Sequence, residues 1–187
     1  MGKRTAYIGL GSNLGNRILA LETAVEKLKA LPDTRYNALS GLYETSPVEA
    51  EGGPFLNAVA VIETVLEPGI LLEALLGMET AMGRTRQPGK TGSRLIDLDL
   101  LLYGNSTVEE KKLTLPHPRM LGRRFVMEPL AELAPDLKVP PTGITAFKAA
   151  ANLAKSHPEQ EVRRLGTLEE IKERLRFDVG EGQNAEH

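Results

Sequence analysis

The 187-residue chain contains no cysteine and no tryptophan, and aromatic residues make up only 4% of it. The missing cysteine excludes disulfide scaffolds, thiolate zinc sites, iron–sulfur clusters and cysteine nucleophiles, and it fits a reducing compartment. No apolar run approaches the roughly 20 residues that a membrane helix needs. The apolar stretch after Met1-Gly2-Lys3-Arg4 is too short for a secretory signal, so a cytoplasmic protein with no membrane partner is expected. Charge of one sign is not in excess either: a formal net charge of -2 argues against a nucleic-acid binder. Internal repeats and low-complexity tracts are absent as well. What remains is a chain of one-domain size, able to bury roughly 70% of its unfolded surface without covalent staples.

Thr5 to Leu10 reads as a strand that stops at Gly11. From about Asn16 to Leu31, the residues Ile18, Leu21, Val25 and Leu28 recur at helical spacing, with Asn13 or Asn16 available as the cap and Pro32 closing the end. Tyr36 to Glu44 and Phe55 to Leu66 read as two strands, separated by the Thr45 to Pro54 loop. Pro68 opens a second helix that runs to Gly83. Arg84 to Ser93 lacks apolar periodicity and reads as a mobile loop, and Leu95 to Gly104 as a fourth strand. The order βαββαβ predicts an α+β fold of the ferredoxin-like kind, an antiparallel sheet with helices on one face. Helices over Gly122 to Ala134 and Ile144 to Lys155 extend it, and Pro129 is expected to interrupt or end the first of them. A short strand over Glu161 to Leu165 follows, and then a last helix to about Arg176, opened by the capping box Thr167-Leu168-Glu169-Glu170.

The glycine-rich stretch Gly9-Leu10-Gly11-Ser12-Asn13-Leu14-Gly15 sits where a dinucleotide or phosphate loop would sit. Its spacing is GxGxxxG, however, and the Lys-Ser/Thr pair of a Walker loop is missing. A tight strand-to-helix turn capped by Asn13 is the main expectation, and a loop that borders a ligand site without holding phosphate is the lesser alternative.

The stretch from Glu79 to Asp99 is the most informative. On a strand, Asp97, Asp99 and Leu101 share one face while Leu98, Leu100 and Leu102 share the other. Two carboxylates about 7 Å apart repel unless a cation sits between them, and magnesium prefers one or two carboxylates plus waters and phosphates. Alone, the pair also suits solvated surface acids. The neighbouring Arg84, Arg86, Lys90 and Arg94, with no acid from Ala81 to Ile96, tilt the balance toward a polyphosphate site. A second basic cluster, His117, Arg119, Arg123 and Arg124, follows Leu113-Thr114-Leu115-Pro116-His117-Pro118. Phe55 and Asn57 share a face of the third strand, and Phe125 follows the second cluster. A flat heteroaromatic ring can stack between the two phenylalanines while the Asn57 amide reads its edge, although ordinary core packing is the competing reading. From these residues alone, a metal-dependent nucleotidyl transferase or cyclase and a non-enzymatic ligand-binding module both stay open.

The segments Tyr7 to Gly15, Tyr43-Glu44-Thr45-Ser46-Pro47, Phe55-Leu56-Asn57, Gly83-Arg84, Ser93-Arg94 with Asp97-Leu98-Asp99, and Leu113 to Pro118 with Arg123 and Phe125 resemble the 6-hydroxymethyl-7,8-dihydropterin pyrophosphokinase family of folate biosynthesis. The resemblance spans roughly Ala6 to Val139 and implies transfer of diphosphate from MgATP to the pterin hydroxymethyl group. It makes Arg84, Arg94, Asp97 and Asp99 catalytic, with Asp97 and Asp99 holding two Mg2+ ions. It assigns Glu79, Arg86, Arg94, Leu100, Lys112, Thr114, His117, Pro118 and Arg123 to ATP, and Thr45, Ser46, Val48, Phe55, Asn57, Asp97 and Phe125 to the pterin. The two long loops resemble the family's lids. Leu76 and Thr91 depart from its pattern, where a Gln and a Trp can stand. By this resemblance residues 1–158 form the catalytic domain. Residues 159–187, with eight acidic against five basic side chains, form a C-terminal extension of strand, helix and frayed end. The expected partners are ATP and the pterin, with no nucleic acid and a monomer favoured.

Overall fold

The computed structural model describes residues 2–46, 53–83 and 94–182, with side chains through Arg176. β1 (Arg4–Ser12) runs two residues past its apolar stretch, because Gly11 still pairs on both sides and Ser12 on one. α1 (Arg17–Lys29) starts at Asn16, whose Oδ1 accepts the Leu19 amide at 3.0 Å. The expected strand over Tyr36 to Glu44 is in fact two, β2 (Thr34–Leu39) and β3 (Leu42–Thr45). The break has a tertiary cause. Ser40 Oγ accepts the Val59 amide at 3.0 Å, and the Gly41 amide donates to Glu132 at 3.1 Å, so both residues leave the ladder. β4 (Phe55–Thr64) is long enough to pair with both pieces. α2 (Pro68–Ala81) and β5 (Asp97–Tyr103) follow, then a hairpin of β6 (Val108–Glu110) and β7 (Leu113–Leu115) that has no strong local signal. α3 (Arg124–Leu133), β8 (Lys138–Val139), β9 (Ile144–Thr145), α4 (Ala146–Ser156), β10 (Val162–Gly166) and α5 (Leu168–Gly182) complete the order.

The main sheet has the order β10-β3-β4-β1-β5, with β2 also on β4, and its ladders are antiparallel. Its core is the ferredoxin-like βαββαβ arrangement. On one face Ala6, Ile8, Leu10, Leu56, Ala58, Ala60, Ile62, Leu98 and Leu100 pack with Leu21, Val25 and Leu28 of α1, Leu71 and Leu75 of α2, and Leu168 and Ile171 of α5. On the other, Val59, Leu101 and Leu102 pack with Val126, Met127 and Leu130 of α3 and with Ala149, Ala150 and Leu153 of α4. Helices therefore cover both faces, not one, because α3 and α4 return across the sheet after the βαββαβ unit is complete.

Two further expectations fail for physical reasons. The β1–β5 register steps between Tyr7 and Ile8, a bulge that puts Leu101 and Leu102 both on the α3 side and returns Tyr103 to the α1 side. α3 runs straight through Pro129. The ring removes one backbone hydrogen bond at a cost near 3 kcal/mol, and burial of Val126, Met127 and Leu130 at about 1.5–3 kcal/mol each outweighs it. At the C-terminal end β10 pairs with β3 and so joins the main sheet. The capping box of α5 forms as expected: the Thr167 amide donates to Glu170 at 2.8 Å and the Glu170 amide to Thr167 Oγ1 at 3.2 Å. That helix continues to Gly182 rather than ending near Arg176. Among the described residues no helix is long and apolar enough to cross a membrane.

Candidate active site

Where α3 begins, the helical cover over its sheet face ends. A cavity of about 130 Å³ opens there, with Thr45 at the end of β3 and Ser46 just after it, Phe55, Asn57 and Val59 from β4, Gly9 and Gly11 from β1, and Asp97, Asp99 and Leu101 from β5 around it. Arg94, Arg119, Arg123, Phe125 and Val126 complete the wall.

Sheet register explains the floor. Gly11 lies between Asn57 on β4 and Asp97 on β5, and Gly9 between Val59 and Asp99. Each row thus has a polar or apolar side chain on one outer strand, a carboxylate on the other, and bare backbone between. Two strand spacings put the outer Cα atoms roughly 10 Å apart. At Gly11 the missing side chain is needed for space. A Cβ on Gly11 would come within 2.9 Å of Asn57 Oδ1, and one on Gly9 would touch the Leu101 side chain at 3.5 Å. Gly9 and Gly11 of the glycine-rich stretch are therefore the floor of the cavity.

The acceptor-like wall is ordered by hydrogen bonds. Buried Asn57 donates from Nδ2 to Thr45 Oγ1 at 2.7 Å, which fixes which end of its amide lies over Gly11. Phe55 and Phe125 are both half-buried on the cavity, Phe125 also packing against the core beneath α3, and the Arg123 guanidinium carbon lies 5.4 Å from the Phe125 ring centre.

The opposite wall is charged. Asn13 does not cap α1. Its Oδ1 accepts the Arg94 amide at 2.6 Å while its own amide donates to the Arg94 carbonyl at 3.1 Å, a reciprocal clamp at the entrance to β5. From that clamp the Arg94 guanidinium ion-pairs with the Asp97 carboxylate. One turn back in space, Glu79 of α2 is 1% exposed and accepts the Leu98 amide at 2.7 Å, so it ties the helix to the strand between the two aspartates. Among the described residues no three His, Cys, Asp or Glu side chains converge on a metal. Asp97 and Asp99 alone are a two-carboxylate donor set, which suits an ion that keeps waters and takes its other oxygens from phosphate, as magnesium does.

His117 stands beside this wall, its amide donating to the Leu101 carbonyl at 2.9 Å. Burial, helped by Arg123 and Arg119 and opposed by Asp97, pushes the imidazole down to about 4, so the ring is neutral near pH 7. Its Nδ1 accepts the Arg119 amide at 3.3 Å.

Of the residues singled out in the sequence, Thr45, Ser46, Phe55, Asn57, Arg94, Asp97, Asp99, Arg123 and Phe125 meet in the one cavity. Val48, Arg84 and Arg86, and likewise Lys90, lie outside the described residues. Leu100 of β5 packs in the core and Glu79 is buried on α2, while Lys112, Thr114 and Pro118 are exposed on and after the β6–β7 hairpin. Arg124 departs from the basic cluster: it pairs with Glu128 at 2.8 Å and with the Gln160 carbonyl at 2.8 Å, away from the cavity. Gly9, Gly11 and Val59 were not singled out as lining residues, although the two-residue period that joins Phe55 to Asn57 continues to Val59.

Comparison with known proteins adds an independent line. Residues 7–135 match the model of the family described as 7,8-dihydro-6-hydroxymethylpterin-pyrophosphokinase (HPPK). A 2-amino-4-hydroxy-6-hydroxymethyldihydropteridine pyrophosphokinase of Methylorubrum extorquens is 44% identical over 156 residues, covering 83% of this chain and 97% of that protein. The protein of the same name from Haemophilus influenzae is 42% identical over 137 residues, covering 73% of this chain and 85% of that one. A Plasmodium falciparum HPPK-DHPS crystal structure superposes with a TM-score of 0.69 over 84% of this chain, at 17% identity, and agrees in fold. The chain spans 47% of that larger protein.

Proposed function

The chain belongs to the 7,8-dihydro-6-hydroxymethylpterin-pyrophosphokinase family, and on that premise we infer that its cavity brings together the two substrates of a diphosphate transfer. It is an ATP-dependent diphosphotransferase of folate biosynthesis, moving the pyrophosphoryl group of ATP to hydroxymethyldihydropterin. In the reaction the acceptor hydroxyl oxygen bonds to the β-phosphorus, the bond from that phosphorus to the α,β-bridging oxygen breaks, AMP leaves, and the hydroxyl proton is released.

The observation that carries the site assignment is the row Asn57, Gly11, Asp97. The pterin lies over Gly11 between Phe55 and Phe125, its edge read by the Asn57 amide, with Thr45 and Ser46 closing the same side; Val48 is assigned to it by the family resemblance alone. Its hydroxymethyl arm then points toward Asp97 and Asp99. Those carboxylates would hold Mg2+, two ions in the full complex, which supplies charge neutralisation and alignment for the phosphates. Arg94, anchored by Asn13, and Arg123 face the polyphosphate, and the family resemblance assigns Arg84 a catalytic role and Arg86 to ATP. Glu79 holds the strand that bears both aspartates. Leu100, Lys112, Thr114, His117 and Pro118 border the nucleotide. His117, being neutral, serves as a hydrogen-bonding partner and not as a cation. No protein nucleophile is needed, since positioning and electrostatic stabilisation carry phosphoryl chemistry.

The reading extends to a cytoplasmic, monomeric enzyme acting on small molecules, with no nucleic-acid or membrane partner and with residues 1–158 as its catalytic domain. Incubation with MgATP and 6-hydroxymethyl-7,8-dihydropterin is expected to give AMP and a pterin diphosphate. Release of ADP, or of pyrophosphate as a nucleotidyl transferase would give, contradicts it.

A further inference from the structure

The polar and aromatic walls of the cavity come from distant parts of the chain, Thr45 and Ser46 on one side and Arg123 and Phe125 on the other. Both are fastened to the same two residues, Gln160 and Glu161, which lie beyond the segment 7–135 that the family model matches. Gln160 is 8% exposed, and a long amide buried that deeply must have its hydrogen bonds made. Its Oε1 accepts the Arg124 amide at 2.9 Å and its Nε2 donates to the Gly122 carbonyl at 3.0 Å. Its own carbonyl accepts the Arg124 guanidinium at 2.8 Å. These bonds fix the turn that leads into α3, and Arg123 and Phe125 flank Arg124 in it. The next residue grips the other wall. The Glu161 amide donates to Ser46 Oγ at 3.3 Å and its carbonyl accepts the Ser46 amide at 3.2 Å. The ladder then continues with Val162 opposite Thr45.

We propose that Gln160 and Glu161 form a bracket that sets the width of the acceptor slot, and that Gln160 is a positioning residue for pterin selectivity in the diphosphate transfer. The proposal rests on the functional reading above for the identity of the acceptor, but the bracket itself is a matter of geometry. It acts first on the acceptor slot, and on the polyphosphate only through Arg123, which stands between Gly122 and Arg124. Ser46 is bonded to Glu161, and Phe125 follows Arg124, whose amide and guanidinium Gln160 holds, whereas Asp97 and Asp99 stand on β5 and Arg94 is clamped to Asn13 at its entrance. A second tie runs parallel: Arg163 of β10 pairs with Glu44 at 2.6 Å, Glu44 pairs with Arg17 at 2.9 Å, and Arg17 donates to the Pro54 carbonyl at 2.8 Å. The C-terminal strand thereby holds both ends of the loop between β3 and β4.

The test is steady-state kinetics of the full chain with Gln160→Ala, with Gln160→Glu, which keeps the acceptor for the Arg124 amide, and with Ile171→Ala as a destabilised control on the opposite sheet face. Gln160→Ala is expected to raise KM for the pterin about tenfold, with a smaller rise of about threefold or less in KM for ATP through Arg123, because a small displacement of a positioning group is enough to cost that much. Gln160→Glu should recover part of the loss, and Ile171→Ala should show no such split at an equal fall in Tm. Equal losses for both substrates, or a split of the same size in Ile171→Ala, overturn the bracket. Amide hydrogen exchange on the free proteins separates this from the functional reading. Faster exchange at Arg124 and Ser46 in Gln160→Ala is expected whatever the activity, and unchanged exchange at both overturns the bracket. A wild-type chain without pterin-dependent AMP release overturns the functional reading instead.

Discussion

Along β1, Ala6, Ile8 and Leu10 point into the layer under α1 and α2, while Gly9 and Gly11 floor the cavity. The same split runs through β4, with Leu56, Ala58 and Ala60 against Phe55, Asn57 and Val59, and through β5, with Leu98 and Leu100 against Asp97 and Asp99. One face needs volume: its side chains are nearly all fully buried and hold the sheet on its helices by apolar contact. The other needs room and a few fixed polar atoms, and it sets two carboxylates close together where apolar residues would hold the sheet better. Stability and chemistry therefore sit on opposite sides of the same strands, one residue apart, and substitution should separate them.

The largest effect belongs to Asp97→Ala. Turnover should fall by about 1,000-fold or more while Tm stays within about 4 °C, since the residue is at the cavity and not in the core. AMP release and calorimetry read the two quantities side by side, and a collapse in Tm would break the division. Ile8→Ala is the mirror case. A fully buried isoleucine cut to alanine costs about 2–5 kcal/mol, or a Tm lower by roughly 10 °C, with kcat of the folded protein unchanged at low temperature. Gly11→Ala sharpens the comparison on a single strand. The new methyl meets Asn57 Oδ1, and loss or strain of the Asn57–Thr45 hydrogen bond should weaken pterin binding about tenfold with little change for ATP, as titration of each ligand would reveal.

The smallest effect is the pH response of His117. Its folded value of about 4 lies below the ordinary 6.5, so the unfolded chain binds the proton more readily in between. The stability that His117 contributes is complete above pH 6.5 and lost as pH falls toward 4. The ring resonances should titrate near pH 4, and the denaturation midpoint should drop less between pH 7 and pH 4.5 in His117→Gln than in the wild type. A ring that titrates near 6.5 would place His117 in open solvent and not against the arginines.

What the sequence disclosed and what it withheld follow from the range of the forces involved. The pairing of Asp97 with Asp99 on one face is legible because strand alternation is local. Leu102 is misassigned by the same rule because the bulge next to it depends on how β1 and β5 register. The interruption at Ser40 and Gly41 depends on Val59 and Glu132, the latter 91 residues from Gly41. Pro129 was read as a breaker because the cost of its ring is local, whereas the burial that outweighs it is tertiary. For the site, residue types announced themselves where chemistry demanded unusual ones: carboxylates, arginines, rare aromatics. Glycines that act by leaving space, and a glutamine that acts by holding other residues still, carry no such mark. The C-terminal acidic stretch showed its strand and its capping box in the sequence, but nothing there indicated that β10 would dock on β3.

The bare floor at Gly9 and Gly11 also acts as a gauge. The gap from Asn57 to Asp97 is set by strand spacing, which side-chain substitution does not alter, so an acceptor is measured against a fixed length. On the functional reading proposed above, a ring seated at Asn57 reaches the carboxylates through its one-carbon arm, and rings with a shorter or a longer arm should be poorer acceptors. Discrimination by reach needs no clash and no extra contact, and it would survive every substitution that leaves the hydrogen-bond ladder intact.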